Sequence, residues 1–197
     1  MESRAYAIAL FIPVSTLATL GCTCSRTDKG RDEHYASLPM EPSPSFVSQR
    51  RSGPRPDTTS TNPHTQLTQN APRELQERVL DFARSLTGVV VGPSLVSVPG
   101  ARAFHLPAES PKARDCFMVD HEFAHLHPPS DGSLHMSLPS TIVDAVIASG
   151  WAERHPLAGK HGLPNNIVMV FGPRDENELA VVKDLIRASY ELATGKA

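Results

Sequence analysis

The chain has 197 residues, 40% of them hydrophobic, which is room for one ordinary domain plus extensions and enough apolar side chains for a single core. Nineteen Lys plus Arg stand against 21 Asp plus Glu, giving a net charge of -2 with no long run of either sign. That balance carries no electrostatic footprint for nucleic acid, so no nucleic-acid partner is expected.

Residues 1–21 read as a signal peptide: one basic residue at Arg4, then an apolar run from Ala5 to Leu20, broken by Pro13 and by Ser15, Thr16 and Thr19. The run is short and interrupted for a membrane span, which needs ~20 predominantly apolar residues. It ends at Gly21-Cys22, the ending of a bacterial lipobox, with Thr19 where an aliphatic residue is usual. The expectation is an exported, envelope-located protein anchored in the membrane through lipid on Cys22; a simply cleaved secretory signal is the alternative.

Residues 22–71 are poor in aliphatic side chains and rich in Ser, Thr, Pro, Arg and Asp. Such a stretch buries too little apolar surface to offset its ordering entropy, so a disordered tether is expected, with His34 and His64 as solvated bystanders. Neither Cys24 nor Cys116 has the spacing of a zinc ribbon or a disulfide framework, and Cys116, beside Phe117-Met118-Val119, reads as a buried inert thiol.

The folded domain is expected over residues 72–197. Pro72 suits the first turn of a helix, Leu75, Val79, Phe82, Ala83 and Leu86 recur at helical spacing, and Gly88 stops it. Val89 to Val91, Ser94 to Val98 and Ala101 to Leu106 predict short strands separated by Gly-Pro and Pro-Gly turns; Asp115 to His127 and Ser133 to Leu138 predict two more. Pro139 opens a second helix with Ile142, Val143, Val146 and Ile147 as its apolar stripe and Gly150 as its end. Asn166 to Phe171 is a buried strand, and Asp175 with Glu178 has the form of a capping box before a long last helix carrying Leu179, Val182, Ile186 and Tyr190 on one side. The order argues for a single α+β domain, with a mixed or antiparallel sheet covered on one face by about three helices.

Chemistry concentrates in His121-Glu-Phe-Ala-His-Leu-His127, in His135 and in His155. His121-Glu122-Phe123-Ala124-His125 spells the zinc-protease pattern, which works only on a helix, where residues i and i+4 aim two imidazoles at one metal. Phe117-Met118-Val119 before it and Pro128-Pro129 after it leave no room for that helix. In an extended chain, His121, Phe123, His125 and His127 share one face and Glu122, Ala124 and Leu126 the other. In the next strand Leu134, Met136 and Leu138 face the core and His135 lies beside Ser133 and Ser137 on the opposite side. A hairpin through Pro128-Pro-Ser-Asp-Gly132 then brings His135 near His125 or His127.

Glu122, Ala124-His125, His127, Leu134-His135, Gly150-Trp151, Arg154-His155-Pro-Leu-Ala-Gly159, Pro173-Arg174 and Val181-Val182 together resemble the luciferase domain of bioluminescent fungi, a domain also found in non-luminous bacterial proteins. The resemblance covers residues 95–190 and is most specific in the Arg-His-Pro-Leu-Ala-Gly string; the N-terminal segments differ. It implies reaction of molecular oxygen with an electron-rich, enolisable small molecule such as a hydroxypyrone, with no organic cofactor. Such chemistry needs a base, a cationic group for the anion and a dry pocket. His125, His127, His135 and His155 are the catalytic candidates. Glu122, Trp151, Arg154 and Arg174 are the substrate-binding ones, Trp151 by stacking and the arginines by holding the anion. No residue is assigned to a metal. Two other readings stand beside this one: a zinc- or iron-dependent enzyme using His125 and His127 with His135 or His155, and a non-catalytic envelope lipoprotein that binds a small molecule. Residue by residue, Trp151 also reads as core, Arg174 as the partner of Asp175 at a helix start, His105 as a satisfied structural histidine and His161 as a loop residue.

Overall fold

The alternating stretches become six short strands in the computed structural model, which describes residues 45–109 and 115–196, all within a compact unit that begins at Met40. The signal segment, the lipidation expected at Cys22, and His34 lie outside the described residues. The strands are β1 (Val90–Pro93), β2 (Arg102–His105), β3 (Glu122–Leu126), β4 (Leu134–Ser137), β5 (Ala152–Arg154) and β6 (Ile167–Val170). They form one sheet in the order β1-β2-β3-β4-β6-β5, antiparallel at every pairing. Helices α1 (Ser45–Ser48), α2 (Arg73–Ser85), α3 (Ser140–Ala148) and α4 (Glu176–Ala193) complete the α+β domain. Among the described residues no helix is long and apolar enough to cross a membrane.

One face of the sheet makes the core. Phe104, Ala124, Leu126, Leu134, Met136, Val168 and Val170 meet Leu75, Val79, Leu80 and Ala83 of α2, Val143 and Val146 of α3, and Leu179, Val182, Leu185 and Ile186 of α4. Each large side chain buried here stabilises the fold by ~1.5–3 kcal/mol. Pro72 and Pro139 stand at the N-caps of α2 and α3, one residue before the first turn. Asp175 caps α4 as expected, accepting from Glu178 N at 2.9 Å; the Glu178 carboxylate in return accepts from Arg174 N at 3.0 Å, one residue earlier than a strict capping box.

The strand expectations need trimming. Ser94 to Val98 is a loop, and of Asp115 to His127 only Glu122–Leu126 is strand. Ahead of it Glu122 N donates to Val119 O and Met118 N to Glu122 O, a tight turn that ends the extended run. The three-residue β5, between Gly150 and Pro156, is too short for alternation to reveal.

The larger correction concerns residues 45–71. Expected as tether, they pack onto the domain: Phe46 joins the core, and Arg51, His64 and Gln66 are buried. Polar groups do the anchoring. Arg51 N donates to Ser149 O at 2.9 Å, Gly172 N to Gln66 Oε1 at 2.9 Å, Gln66 N to Asp131 Oδ2 at 3.3 Å, and Trp151 Nε1 to Gln49 O at 2.8 Å. Apolar content misjudged this strap because its attachment is hydrogen bonding to backbone, each bond worth ~0.5–1.5 kcal/mol. Two glycines permit the close approach. A Cβ at Gly172 would lie 2.6 Å from Gly132 O, and one at Gly132, where φ is +75°, would lie 2.6 Å from Gln76 Nε2.

Candidate functional site

The sheet face away from the helices carries the histidines. A cross-strand row runs Ala103, His125, His135, Met169, Glu153 across β2, β3, β4, β6 and β5. Strict alternation would put Glu122 on the opposite side from His125, as the sequence suggested. It does not, because Phe104 pairs with Ala124 and His105 with Glu122, leaving Phe123 as an extra residue in a β-bulge. Phe123 and Ala124 both enter the core, and Glu122 turns to the histidine face. There its carboxylate accepts from His125 Nδ1 at 2.7 Å, Ser94 Oγ at 2.7 Å and Leu95 N at 2.9 Å.

From Glu122 a continuous chain of contacts crosses the sheet. His125 Nε2 lies 3.1 Å from His135 Nδ1, His135 Nε2 lies 3.1 Å from His64 Nδ1, and His64 Nε2 lies 2.7 Å from Glu153 Oε1. Arg55 pairs with the other Glu153 oxygen. His127 stands beside this chain, its ring 4.5 Å from that of His135, with Nδ1 2.5 Å from Asp131 Oδ2. Asp131 is held in turn by Ser133 N at 3.0 Å and Ser133 Oγ at 2.6 Å. His155 completes the group edge-on to His135 at 4.6 Å, its Nδ1 accepting from Leu157 N at 3.1 Å.

Because a carboxylate only accepts, the three acids fix three tautomers: His125 and His127 carry hydrogen on Nδ1, and His64 on Nε2. Burial is the largest single influence on the Glu122 and Asp131 carboxyls and raises them, but the bond and charge of His125 with the Leu95 and Ser94 donors at Glu122, and of His127 with the Ser133 donors at Asp131, together outweigh it, and both end below their ordinary values. The imidazoles move the other way. Burial pushes His135 well below the ordinary imidazole value, with His127, His125, His155 and His64 adding to it. Burial lowers His125 too, against the pull of Glu122. Burial followed by His155 and His127 takes His64 down to about 4, and burial followed by His125 and His127 takes His155 to about 4. These four rings are therefore neutral at physiological pH, each with one nitrogen that accepts.

A cavity of about 300 Å³ opens over them. Five imidazoles line it, from His64, His125, His127, His135 and His155, and most of the remaining lining is apolar, from Val96, Val98, Met118, Leu157, Leu163 and Ile167, with Asn62 and Ser97 as polar additions. The size is at the lower end of small-molecule pockets, and its mixed lining suits a compact ring with polar substituents.

The sequence candidates divide cleanly. His125, His127, His135 and His155 come together at the cavity, and Glu122 lies behind them, fully buried, bonded to His125 and to the 94–95 loop. Trp151, Arg154 and Arg174 are not there. Trp151 packs in the core, following the Gly150 that ends α3. Arg154 lies on the helix side of β5, bonded to Asp144 Oδ1 at 3.0 Å and Asn165 O at 2.8 Å. Arg174 forks onto Glu178 and reaches Gln69 Oε1 at 2.9 Å and Ser52 O at 2.7 Å, tying the strap to α4. No arginine or lysine lines the cavity among the described residues. The zinc-protease pattern is also dispersed: it lies on a strand, and His121 packs against Phe117 outside the cluster. Three participants were missed. His64 and Arg55 sit in the segment read as tether, and Glu153 carried no motif. Asp131, four residues after His127 across the Pro-Pro-Ser turn, also takes part by holding His127 Nδ1.

Comparison with known proteins agrees with this placement. The family model for the luciferase domain matches residues 120–189. A luciferase of Neonothopanus nambi is 31% identical over 160 residues, covering 73% of this chain and 60% of that protein. A luciferase of Armillaria ostoyae is 43% identical over 75 residues, 37% of this chain and 28% of that protein, and one from Armillaria gallica is 41% identical over the same length. The chain thus spans less than two thirds of the length of these curated relatives. No solved structure matches it. The family model falls on β3 to β6 and on α3 and α4, so residues 120–189 of this chain match the luciferase domain and carry four of the histidines that line the cavity.

Proposed function

We propose that this domain is an oxygenase-like enzyme that takes an enolisable, hydroxylated small molecule into the histidine cavity and prepares it for reaction with molecular oxygen, without an organic cofactor. The observation that carries the reading is the convergence of imidazoles, His135 and His155 among them held uncharged by burial, in a cavity whose remaining lining is mostly apolar. An enolisable substrate becomes reactive toward oxygen on losing its acidic proton. Rings whose far nitrogens are held by carboxylates are good acceptors of the positive charge that step releases. His155 offers the complementary group: with Nδ1 accepting from Leu157 N, its neutral tautomer carries hydrogen on Nε2, a donor for the substrate oxyanion. That donor replaces the arginines expected from the sequence. The apolar wall keeps water from the anion. The relatives are named luciferases, which fits oxidation of an electron-rich substrate; light emission is not part of the proposal.

The test is oxygen uptake by the purified protein against a panel of hydroxypyrones and related enolisable rings. Saturable uptake with at least one of them supports an oxygenase. Ligands that raise the melting temperature without consuming oxygen would replace the reading with a non-catalytic binding module. The same proposal includes export and anchoring in the cell envelope through lipid on Cys22. Radiolabelled palmitate incorporated by the parent and absent from Cys22→Ser supports it; no incorporation in the parent defeats it.

A further inference from the structure

The hydrogen-bond chain across the histidine face is one hydrogen short. Its four links, Glu122 to His125, His125 to His135, His135 to His64 and His64 to Glu153, each require one hydrogen, whereas three neutral imidazoles carry three. The two ends are fixed by carboxylates, so His125 Nε2 and His64 Nδ1 are both lone pairs. The one hydrogen of His135 can serve only one of these two neighbours; placed on Nε2 and given to His64 Nδ1, it leaves His135 Nδ1 a lone pair as well. It faces the lone pair of His125 Nε2 at 3.1 Å, an arrangement that is repulsive unless something positive lies between or beside them. A third lone pair belongs to the same place. His127 gives its Nδ1 hydrogen to Asp131, leaving Nε2 bare, and the ligand atoms of His125, His127 and His135 lie within 4.8 Å of one another.

We propose that His125 Nε2, His127 Nε2 and His135 Nδ1 bind a divalent first-row transition-metal ion, with the cavity supplying its open coordination position. The inference rests on the proposed function and deepens it: with an ion bound, the ion would stabilise the enolate in place of the imidazole lone pairs that otherwise take up its proton. Imidazole suits zinc, iron, cobalt, nickel and copper. Nitrogens ~2.0–2.1 Å from such an ion in tetrahedral array are ~3.3 Å apart, close to the separation seen between His125 and His135. All three rings are buried, and each is backed as metal-ligating histidines are: Glu122 behind His125, Asp131 behind His127, and His64 with Glu153 behind His135. The other close set, His64, His135 and His155, does not serve. The lone pair of His155, on Nδ1, is occupied by Leu157 N–H, which leaves that set two lone pairs at most and favours placing the His135 hydrogen toward His64. A hydroxypyrone or similar enolate oxygen entering the cavity would complete the ion's coordination.

The experiment uses the full chain purified without chelators, its metal measured by inductively coupled plasma mass spectrometry and the stripped protein then titrated with Co²⁺. The expected result is ~1 equivalent of bound ion and visible d–d absorption, both lost in His127→Ala with its circular dichroism unchanged and both retained in His155→Ala. Glu122→Gln, which keeps all three ligands, should weaken Co²⁺ binding by ~10–100-fold, so that the inference does not hang on a ligand variant that fails to fold. No ion in the purified protein together with no Co²⁺ binding overturns the inference, as does binding lost in His155→Ala but kept in His127→Ala. Oxygen uptake by a protein that binds no metal would remove this inference and leave the proposed function standing; metal binding with no oxygen uptake would do the reverse.

Discussion

Replacing Glu122 with glutamine isolates the contribution of the bulge-placed carboxylate. Three donors converge on it in a fully buried position: Ser94 Oγ and His125 Nδ1 on one oxygen, Leu95 N on the other. A glutamine amide has one oxygen. Turned toward Ser94 and His125 it sets its NH₂ against Leu95 N–H; turned the other way it strands two donors. At least one buried donor therefore loses its acceptor, at ~1–3 kcal/mol, and the surviving bonds lose the extra strength of a charged acceptor, ~1 kcal/mol more. The sum is about 3 kcal/mol, and at ~2–4 °C per kcal/mol for a chain of this size the melting temperature should fall by about 6–12 °C. Thermal unfolding by circular dichroism measures it. Hydrogen exchange at the Leu95 amide should quicken in parallel, because Ser94 Oγ also holds Val96 N and Ser97 N and the 94–98 loop forms part of the cavity wall. A melting temperature within ~1 °C of the parent would refute the reasoning, since it would mean that Glu122 is protonated in the folded protein and that His125 need not carry hydrogen on Nδ1.

Stability should fall as the solution is made acidic. His64 and His155 hold values of about 4 in the folded protein against 6.5 unfolded, so between those limits the unfolded chain binds more protons and each step down in pH favours unfolding; above 6.5 neither ring contributes. Both rings border the cavity, so we halve the full linkage to ~2 kcal/mol between pH 7 and 5, a fall of about 4–8 °C in melting temperature. A melting temperature flat across that range would contradict the placement of the rings. Gly172→Ala should destabilise by ~1–3 kcal/mol, because its Cβ meets the Gly132 carbonyl and Ala71 with no side chain to yield; an unchanged chemical denaturation midpoint would show that the strap sits farther from the sheet. Arg174→Ala should lower stability by a similar ~1–3 kcal/mol through loss of its bonds to Glu178, Gln69 and Ser52 while leaving KM for an oxygen-consuming substrate unchanged; a raised KM with unchanged stability would return this arginine to the substrate.

What the sequence revealed followed from local periodicity. α2, α3 and α4 were readable from their apolar stripes and end signals, and β4 from the alternation of Leu134, His135, Met136 and Ser137. The hairpin prediction placed His135 near His125 or His127, and the register pairs it directly with His125. Failures came where placement depends on distant partners. No local pattern marks Phe123 as a bulge, yet that single extra residue puts Glu122 behind His125. His64 lies 71 residues from His135 and 89 from Glu153, inside a segment whose composition argues against burial, and only the polar anchors at Arg51 and Gln66 hold it there. The arginines were chosen from the resemblance and for their charge, but among the described residues no arginine or lysine lines the cavity, and Arg154 and Arg174 serve to tie elements together.

The central claim is that the histidine face, and not the zinc-protease pattern that shares its letters, carries the chemistry. The most direct measurement compares oxygen uptake by His127→Ala and His121→Ala with the parent, on whichever enolisable ring the parent consumes. His127 lines the cavity with its Nδ1 held by Asp131, whereas His121 packs against Phe117 outside the cluster. The account predicts a loss of ~10²-fold or more in His127→Ala and near-parental uptake in His121→Ala. Full activity in His127→Ala, or a loss confined to His121→Ala, would contradict it.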